Sequence, residues 1–249
     1  MAVFINKQFD MSKLFFLLFC PVMILTSCRY VHNRHVSGNG TTSTETRAIS
    51  GFTGVETHGS IDLVVTQGNF NVKVEADQNL LQYIETTVEN GHLIVGFRHG
   101  VSIMDINTAK VYVSAPELND FETHGSGNIT GEGKISDKNK TAINVSGSGD
   151  IALHIDCPSV ITETHGSGNI NIDGESKNIS TTVSGSGDVK LAGLKAETVK
   201  VSIHGSGNTE VFASESLDAE IFGSGDVHYR GEPKISSSIH GSGEVSKMD

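Results

Sequence analysis

Tryptophan is absent from this chain, aromatic residues amount to 6 %, and proline occurs only four times. A core of large rings is thereby excluded, and a thin, layered interior of small and β-branched side chains is indicated. Cysteine is nearly as scarce, with only Cys20, Cys28 and Cys157. Cys20 falls in a segment expected to be removed and Cys28 at a position expected to be lipidated. Cys157 is left without a partner, so no internal disulfide is expected, and it reads as a small buried hydrophobe. Positive charge is also short. Lys and Arg number 18 against 29 Asp and Glu, and a net charge of −11 is the wrong sign for a nucleic-acid partner. The apolar run over residues 14–24 is too short to span a bilayer.

That run does fit the h-region of a secretory signal. Met11 reads as the true start, Lys13 supplies a positive n-region, and the run leads into Leu25-Thr26-Ser27-Cys28. The string resembles the bacterial lipobox, which implies cleavage before Cys28 and acylation of its thiol and new amino group. Several acyl chains hold a protein at a membrane where one alone is marginal. Arg29 stands where an inner-membrane retention Asp would sit, so the same resemblance implies the outer membrane. Residues 30–46, rich in Ser, Thr, Asn and Gly, are expected to form a flexible tether. The expected organisation is a signal peptide over 1–27 and an anchor with its tether over 28–49. A β cap over 50–118 and a repeat region over 119–249 complete it.

Glycine is what the chain has in plenty, at 28 residues. Seven copies of Gly-Ser-Gly followed by Asn, Asp or Glu begin at Gly125, Gly147, Gly166, Gly185, Gly205, Gly223 and Gly241. A period of about 20 residues, with units too small to bury a face alone, means stacked coils. Around Gly205, Val201, Ile203, Thr209 and Val211 share one parity, while His204, Ser206, Asn208 and Glu210 share the other. Period two means strands with one face in and one out. The glycines fall on the apolar parity, so they either face a narrow interior or form a corner with positive φ. Turns are expected at Asp173-Gly174-Glu175-Ser176 and Gly231-Glu232-Pro233. The fold expected is all-β, a right-handed parallel β-helix of about 19-residue units with an atypical β-rich N-terminal cap. A β-sandwich is the alternative.

The units also alternate in kind. His124, His165, His204 and His240 precede the first Gly of alternate units, with Ser146, Ser184 and Phe222 between them. After the second Gly the series runs Asn128, Asp150, Asn169, Asp188, Asn208, Asp226, Glu244. If one unit is one coil, successive His residues lie two rungs apart, about 9–10 Å. Ligand bonds of about 2.0–2.1 Å then exclude a shared ion, and no metal site is expected. If a pair of units forms one coil, the His residues stack directly.

The N-terminal part is related to the repeats. Glu56-Thr57-His58-Gly59-Ser60 returns over 122–126 and 163–167, and Ile61 replaces the second Gly, so this is a degenerate first copy. Residues 70–76 and 93–97 read as strands, Glu89-Asn90-Gly91-His92 as a hairpin turn, and Asp77 as the cap of a helical turn over 77–83. The repeats, preceded by Glu75-Ala76-Asp77-Gln78-Asn79-Leu80-Leu81 and Val111-Tyr112-Val113-Ser114-Ala115-Pro116-Glu117-Leu118, resemble the head GIN domain family over residues 50–245. That family is described as adhesins of the auto-transporter type, commonly lipid-anchored in Gram-negative envelopes. The resemblance implies a β-helical fold and carries over no catalytic residues.

A repeated polar face suits binding, since weak sites in series gain by avidity. The candidate row is His124, Asn128, His165, Asn169, His204, Asn208 and His240, with Cys28 as the lipid attachment point. The expected function is a lipid-anchored, non-catalytic adhesion module without cofactor. Its expected partners are the membrane and a glycan or an envelope or host surface protein. A structural or assembly role in the outer membrane is the alternative. A polysaccharide-active enzyme is the third reading, because Asp150, Asp188 and Asp226 could meet the carboxylate spacing that glycosidic cleavage needs. Each of them recurs within a repeat, however, whereas a catalytic site normally breaks one.

Overall fold

Parity decides the architecture. The computed structural model describes residues 34–248, which form a β-solenoid of about 7 turns, nearly all strand. The first part carries β1 (Arg34–Ser37), β2 (Thr42–Arg47), β3 (Gly54–Gly59), β4 (Asp62–Gln67), β5 (Asn71–Asp77), β6 (Ile84–Glu89), β7 (His92–Phe97), β8 (Val101–Met104) and β9 (Ala109–Ala115). The repeats begin with β10 (Asp120–Gly125), β11 (Ile129–Ser136) and β12 (Thr141–Gly147). Four long strands follow: β13 (Ile151–Gly166), β14 (Ile170–Gly185), β15 (Val189–Gly205) and β16 (Thr209–Gly223). The last coil is β17 (Val227–Arg230), β18 (Lys234–Gly241) and β19 (Val245–Lys247).

Repeat pairs with repeat in parallel and in register. Gly125 lies opposite Gly147, Gly147 opposite Gly166, and the column continues through Gly185, Gly205, Gly223 and Gly241. One unit is therefore one coil, which settles the choice left open by the sequence, and the parallel ladder rules out the sandwich. Each coil from β13 to β16 is one long bent strand closed by one Gly-Ser-Gly corner. The turn expected at Asp173-Gly174-Glu175-Ser176 does not interrupt anything. The chain bends there inside β14, with Gly174 at φ 120°, and Ile155, Asp156 and Cys157 keep their partners across it.

The two glycines of a corner have different reasons to be glycine. The first turns the chain at positive φ, for example 141° at Gly185. The second is buried and faces the interior. Both sequence readings of the glycines therefore hold, each for one position. The first Gly carbonyl accepts two hydrogen bonds from the next coil: Ser167 N–H donates to Gly147 O at 2.8 Å and Gly168 N–H at 3.0 Å. Inside, columns of Ile, Val and Thr stack rung on rung, as in Ile129, Ile151, Ile170 and Val189, all buried. Cys157 is a buried free thiol that donates to Ser159 O.

The degenerate first copy belongs to the same column. β3 lies on β10 with Glu56, Thr57, His58 and Gly59 opposite Glu122, Thr123, His124 and Gly125, and β4 lies on β11. Between them the chain leaves the solenoid and builds its end. β7 and β9 add parallel to β3 and β4, and β5 and β6 then pair antiparallel with β9 and β7. The hairpin expected at Glu89-Asn90-Gly91-His92 joins β6 to β7, with Asn90 and Gly91 at φ 51° and 85°. The helical turn is shorter than expected, a 3-10 turn over Leu81–Tyr83, and Asp77 does not cap it. Asp77 is buried and its Oδ2 accepts from Asn107 N–H at 3.0 Å.

The tether expectation is corrected for the part that the structure describes. β1 pairs with β8, and β2 pairs antiparallel with β5, so residues 34–47 belong to the folded body. The polar composition misleads because this is an edge: Ser and Thr suit an exposed strand as well as a linker. Arg47 fixes it, donating to Ile84 O at 2.8 Å, Thr86 Oγ1 at 2.9 Å and Leu81 O at 3.2 Å. Arg47→Ala is expected to lower stability by about 1–2 kcal/mol, because three charge-assisted bonds to partly buried acceptors are lost. Urea denaturation reads that change, and an unaltered midpoint would place this strand outside the cooperative unit. The signal peptide and Cys28 lie outside the described residues.

Candidate functional site

Because every coil carries the same parity, outward residues of equal rank form straight rows. The row before the first Gly runs His58, His124, Ser146, His165, Ser184, His204, Phe222, His240. Two residues earlier, on the same face, the row is Glu56, Glu122, Asn144, Glu163, Thr182, Ser202, Glu220, Ser238. All four histidines of the candidate row thus do share one stripe. Their surroundings differ along it.

At the far end the stripe becomes aromatic. His204 stacks on Phe222 with centroids 5.0 Å apart and planes within 3°, and Phe222 stacks on His240 at 4.9 Å and 11°. Phe222 is exposed, as is His204, whose Nε2 lies 3.2 Å from Ser202 Oγ. His240 makes the equivalent contact with Ser238 Oγ at 3.2 Å. In mid-stripe His165 stands alone between Ser146 and Ser184, half exposed, its Nε2 3.7 Å from Glu163 Oε2. At the near end His58 and His124 stack directly at 5.1 Å, with Glu56 and Glu122 beside them.

The Asn residues of the candidate row do other work. Asn169 N–H and Nδ2 both donate to Asp150 Oδ1, at 2.8 and 2.9 Å, and Asn169 Oδ1 accepts from Asp188 N–H at 2.9 Å. Asn208 repeats the pattern between Asp188 and Asp226, and Asn128 between Asp62 and Asp150. The result is an unbroken hydrogen-bonded column in which a carboxylate and an amide alternate from Asp62 to Asp226, and only at its end do two acids meet, where Glu244 N–H donates to Asp226 Oδ1 at 2.8 Å. Alternation follows from charge: neighbours about 4.8 Å apart repel if both are carboxylates, and an amide is needed to donate back. Asn128, Asn169 and Asn208 are therefore engaged within the solenoid. Asp150 and Asp188 likewise accept through Oδ1 within the column.

Three features of the face do not emerge from the sequence. Phe222 appears there only beside Ser146 and Ser184 between the histidines, and its stacking with two of them needs the one-unit coil. The Glu56–His58 and Glu122–His124 pairs appear as a repeated string, but their adjacency needs the chain to return after β4 to the very next rung. His92 and Asp120 have no sequence signal. They approach at 3.2 Å across β3, where Gly54 lies between them in register.

Against known proteins, the family model described as "Putative auto-transporter adhesin, head GIN domain" matches residues 51–233. Among solved structures the chain is similar to a "putative adhesin" from Bacteroides fragilis, 20% identical, with a TM-score of 0.80 over 86% of this chain and 100% of that one. It is also similar to a "putative lipid binding protein" from Parabacteroides distasonis, at 29% identity and TM-score 0.73, covering 87% of this chain and 100% of that one. A "putative adhesin" from Parabacteroides merdae matches at 23% identity and TM-score 0.71, over 87% and 100%. No curated protein matches.

Proposed function

The chain belongs to the head GIN domain family, and on that premise we propose that it is a non-catalytic adhesion module of the cell envelope. It binds an extended ligand along its outward stripe. The observation that carries the reading is the exposed His204–Phe222–His240 stack, an aromatic ridge spanning three rungs. Both faces of Phe222 are covered by the imidazoles, so the stack offers its outward ring edges as apolar surface for the C–H groups of a sugar, and the polar groups beside it, Ser202, Ser238 and Glu220, fix orientation by hydrogen bonds. The ligand class is therefore a glycan, on a host or on the envelope itself. The family's description as an adhesin supports the non-catalytic part of the reading.

Attachment at Cys28, after loss of residues 1–27, places the module at the outer membrane in this proposal. No helix among the described residues is long and apolar enough to cross a membrane. Radiolabelled palmitate incorporation that is lost in Cys28→Ala tests the anchor.

The binding reading is tested on a glycan array with the purified protein, followed by calorimetry on any hit. Phe222→Ala is expected to weaken the hit about tenfold or more, as truncation of an aromatic anchor does. His165→Ala, away from the stack, is expected to change it much less. Equal affinity in Phe222→Ala and the parent overturns the ridge as the binding surface. No glycan hit, together with protection from protease on intact cells, favours the structural role.

A further inference from the structure

The geometry points to a divalent transition-metal site, for zinc or a cation of similar chemistry, held by Glu56, Glu122 and His124 at the start of the solenoid. Elsewhere on the stripe a Ser rung or Phe222 separates successive histidines. Here the chain leaves after β4, builds β5 to β9, and returns as β10 directly on β3. Two Glu-x-His pairs thereby stack on adjacent rungs. The argument from two-rung spacing against a shared ion therefore does not apply to this pair of coils.

The distances suit coordination. His124 Nε2 lies 3.3 Å from Glu56 Oε1 and 3.2 Å from Glu122 Oε2, and the three donor atoms lie within 4.8 Å of one another. Donors bonded to one tetrahedral ion at about 2.0–2.1 Å stand about 3.3–3.4 Å apart, so the two measured edges match. His124 Nε2 and Glu122 Oε2 are hydrogen-bonded at 3.2 Å, at the long end for a contact whose charge-assisted form is about 2.7–2.9 Å. His58 makes such a bond, its Nε2 2.6 Å from Glu56 Oε1, and so positions that ligand from outside.

A second observation lies on the other side of Glu122. His92 on β7 reaches Asp120 on β10 across β3, and the residue between them is Gly54. Gly54 has no positive φ to explain it, and a Cβ there would stand 2.3 Å from His92 Cδ2. Glycine is thus needed to let the imidazole through. His92 Nε2 is buried and 3.2 Å from Asp120 Oδ2, yet it is not aligned to form a hydrogen bond. His92, Asp120 and Glu122 form a further set of donors within 4.8 Å, sharing Glu122 with the first. Among the described residues the only ion-pair partners of Glu56, Glu122 and Asp120 are histidines. Lys140 lines the same hollow as Asp120 and Glu122 without an ion pair to either, and mixed imidazole and carboxylate donors suit zinc. The ion would join β3 to β10 and so tie the two coils that the long excursion separates in sequence.

The test uses the full chain, stripped with chelator and titrated with zinc by calorimetry, with melting followed by circular dichroism. One ion per chain and a raised melting temperature are expected. Glu122→Gln, which keeps shape and removes charge, is expected to weaken binding at least about tenfold and to abolish the rise. Glu56→Gln provides the same reading if the first variant does not fold. Glu163→Gln with His165→Ala, the same string without a stacked partner, is expected to leave both unchanged. Zinc affinity that is absent in the parent, or equal in the parent and Glu122→Gln, overturns the site. So does binding that is lost in the His165 control.

Discussion

Gly187→Ala is expected to destabilise the solenoid by about 3 kcal/mol or more. Gly187 is the second glycine of its corner and buried. A Cβ there would lie 2.0 Å from Gly168 O and 3.0 Å from Thr164 Cγ2. Flexible side chains yield to such contacts, but the oxygen is backbone in the rung below. That rung cannot retreat, because the corners are tied to each other: Gly187 N–H donates to Gly166 O at 3.2 Å and Ser186 N–H to the same oxygen at 2.8 Å. Relief therefore requires breaking corner bonds or splaying two coils. Gly133→Ala separates this steric cost from backbone strain. Gly133 has φ 80° but open space around its Cβ position, so it is expected to cost only about 1 kcal/mol. Urea midpoints of the two variants check the difference. Gly187 has no positive φ, so equal losses would mean that its close approach is relieved cheaply and does not fix the glycine.

The same contrast explains what could be read from the sequence. A period near 20 residues and a parity of two are one-dimensional signals, and they carried the coil and the strand faces, while the Asn90-Gly91 turn string carried the hairpin. They also put His124, His165, His204 and His240 on one stripe, where the structure has them. Whether one unit or two made a coil was not legible, because both choices keep the parity. Register across β10, β12 and β13 decided it. The Asn row was legible as outward, but its hydrogen bonding within the column was not, since its partners lie 18 to 22 residues away, or 66 for Asn128 and Asp62, and depend on that same register. The His92–Asp120 approach depends on the absence of a side chain at Gly54, and a missing Cβ gives no periodic signal. Residues 34–47 resist a reading from composition, because an exposed edge strand and a linker share it.

A repeat that fixes the backbone so firmly also frees one face to vary. Interior columns and corners repeat with little change, whereas the outward stripe shifts from Glu and His, through isolated His165, to aromatic rings. The proposed ligand ridge and the proposed metal site lie at opposite ends of that stripe. Each arises where the alternation of His and Ser is broken, by Phe222 in one case and by direct stacking of two His rungs in the other.

Asn169→Asp is expected to cost about 2–3 kcal/mol at neutral pH, although Asn169 is exposed and the substitution nearly isosteric. It would set three carboxylates on successive rungs, Asp150, residue 169 and Asp188, about 4.8 Å apart. Two unit charges at that separation repel by about 1 kcal/mol at the dielectric of water and by about 3 kcal/mol at an effective value of 20. An exposed column lies nearer the first figure, and there are two such pairs. The loss of the Nδ2 donor to Asp150, now at 2.9 Å, adds to them. The sign with pH follows. Repulsion raises the carboxyl pKa of residue 169 above its unfolded value, so the folded state holds a proton that the unfolded chain releases. The penalty is complete above the raised value and fades as pH falls through it to the ordinary range near 4. Salt should shrink it as well. Asp188→Asn, which removes a charge and keeps an oxygen for Asn208 N–H, is expected to change stability by less than about 1 kcal/mol. Denaturation of both variants at pH 7 and pH 4 tests the scheme. A loss in Asn169→Asp that is the same at both pH values would mean that the alternation serves hydrogen-bond direction alone and not the spacing of charge.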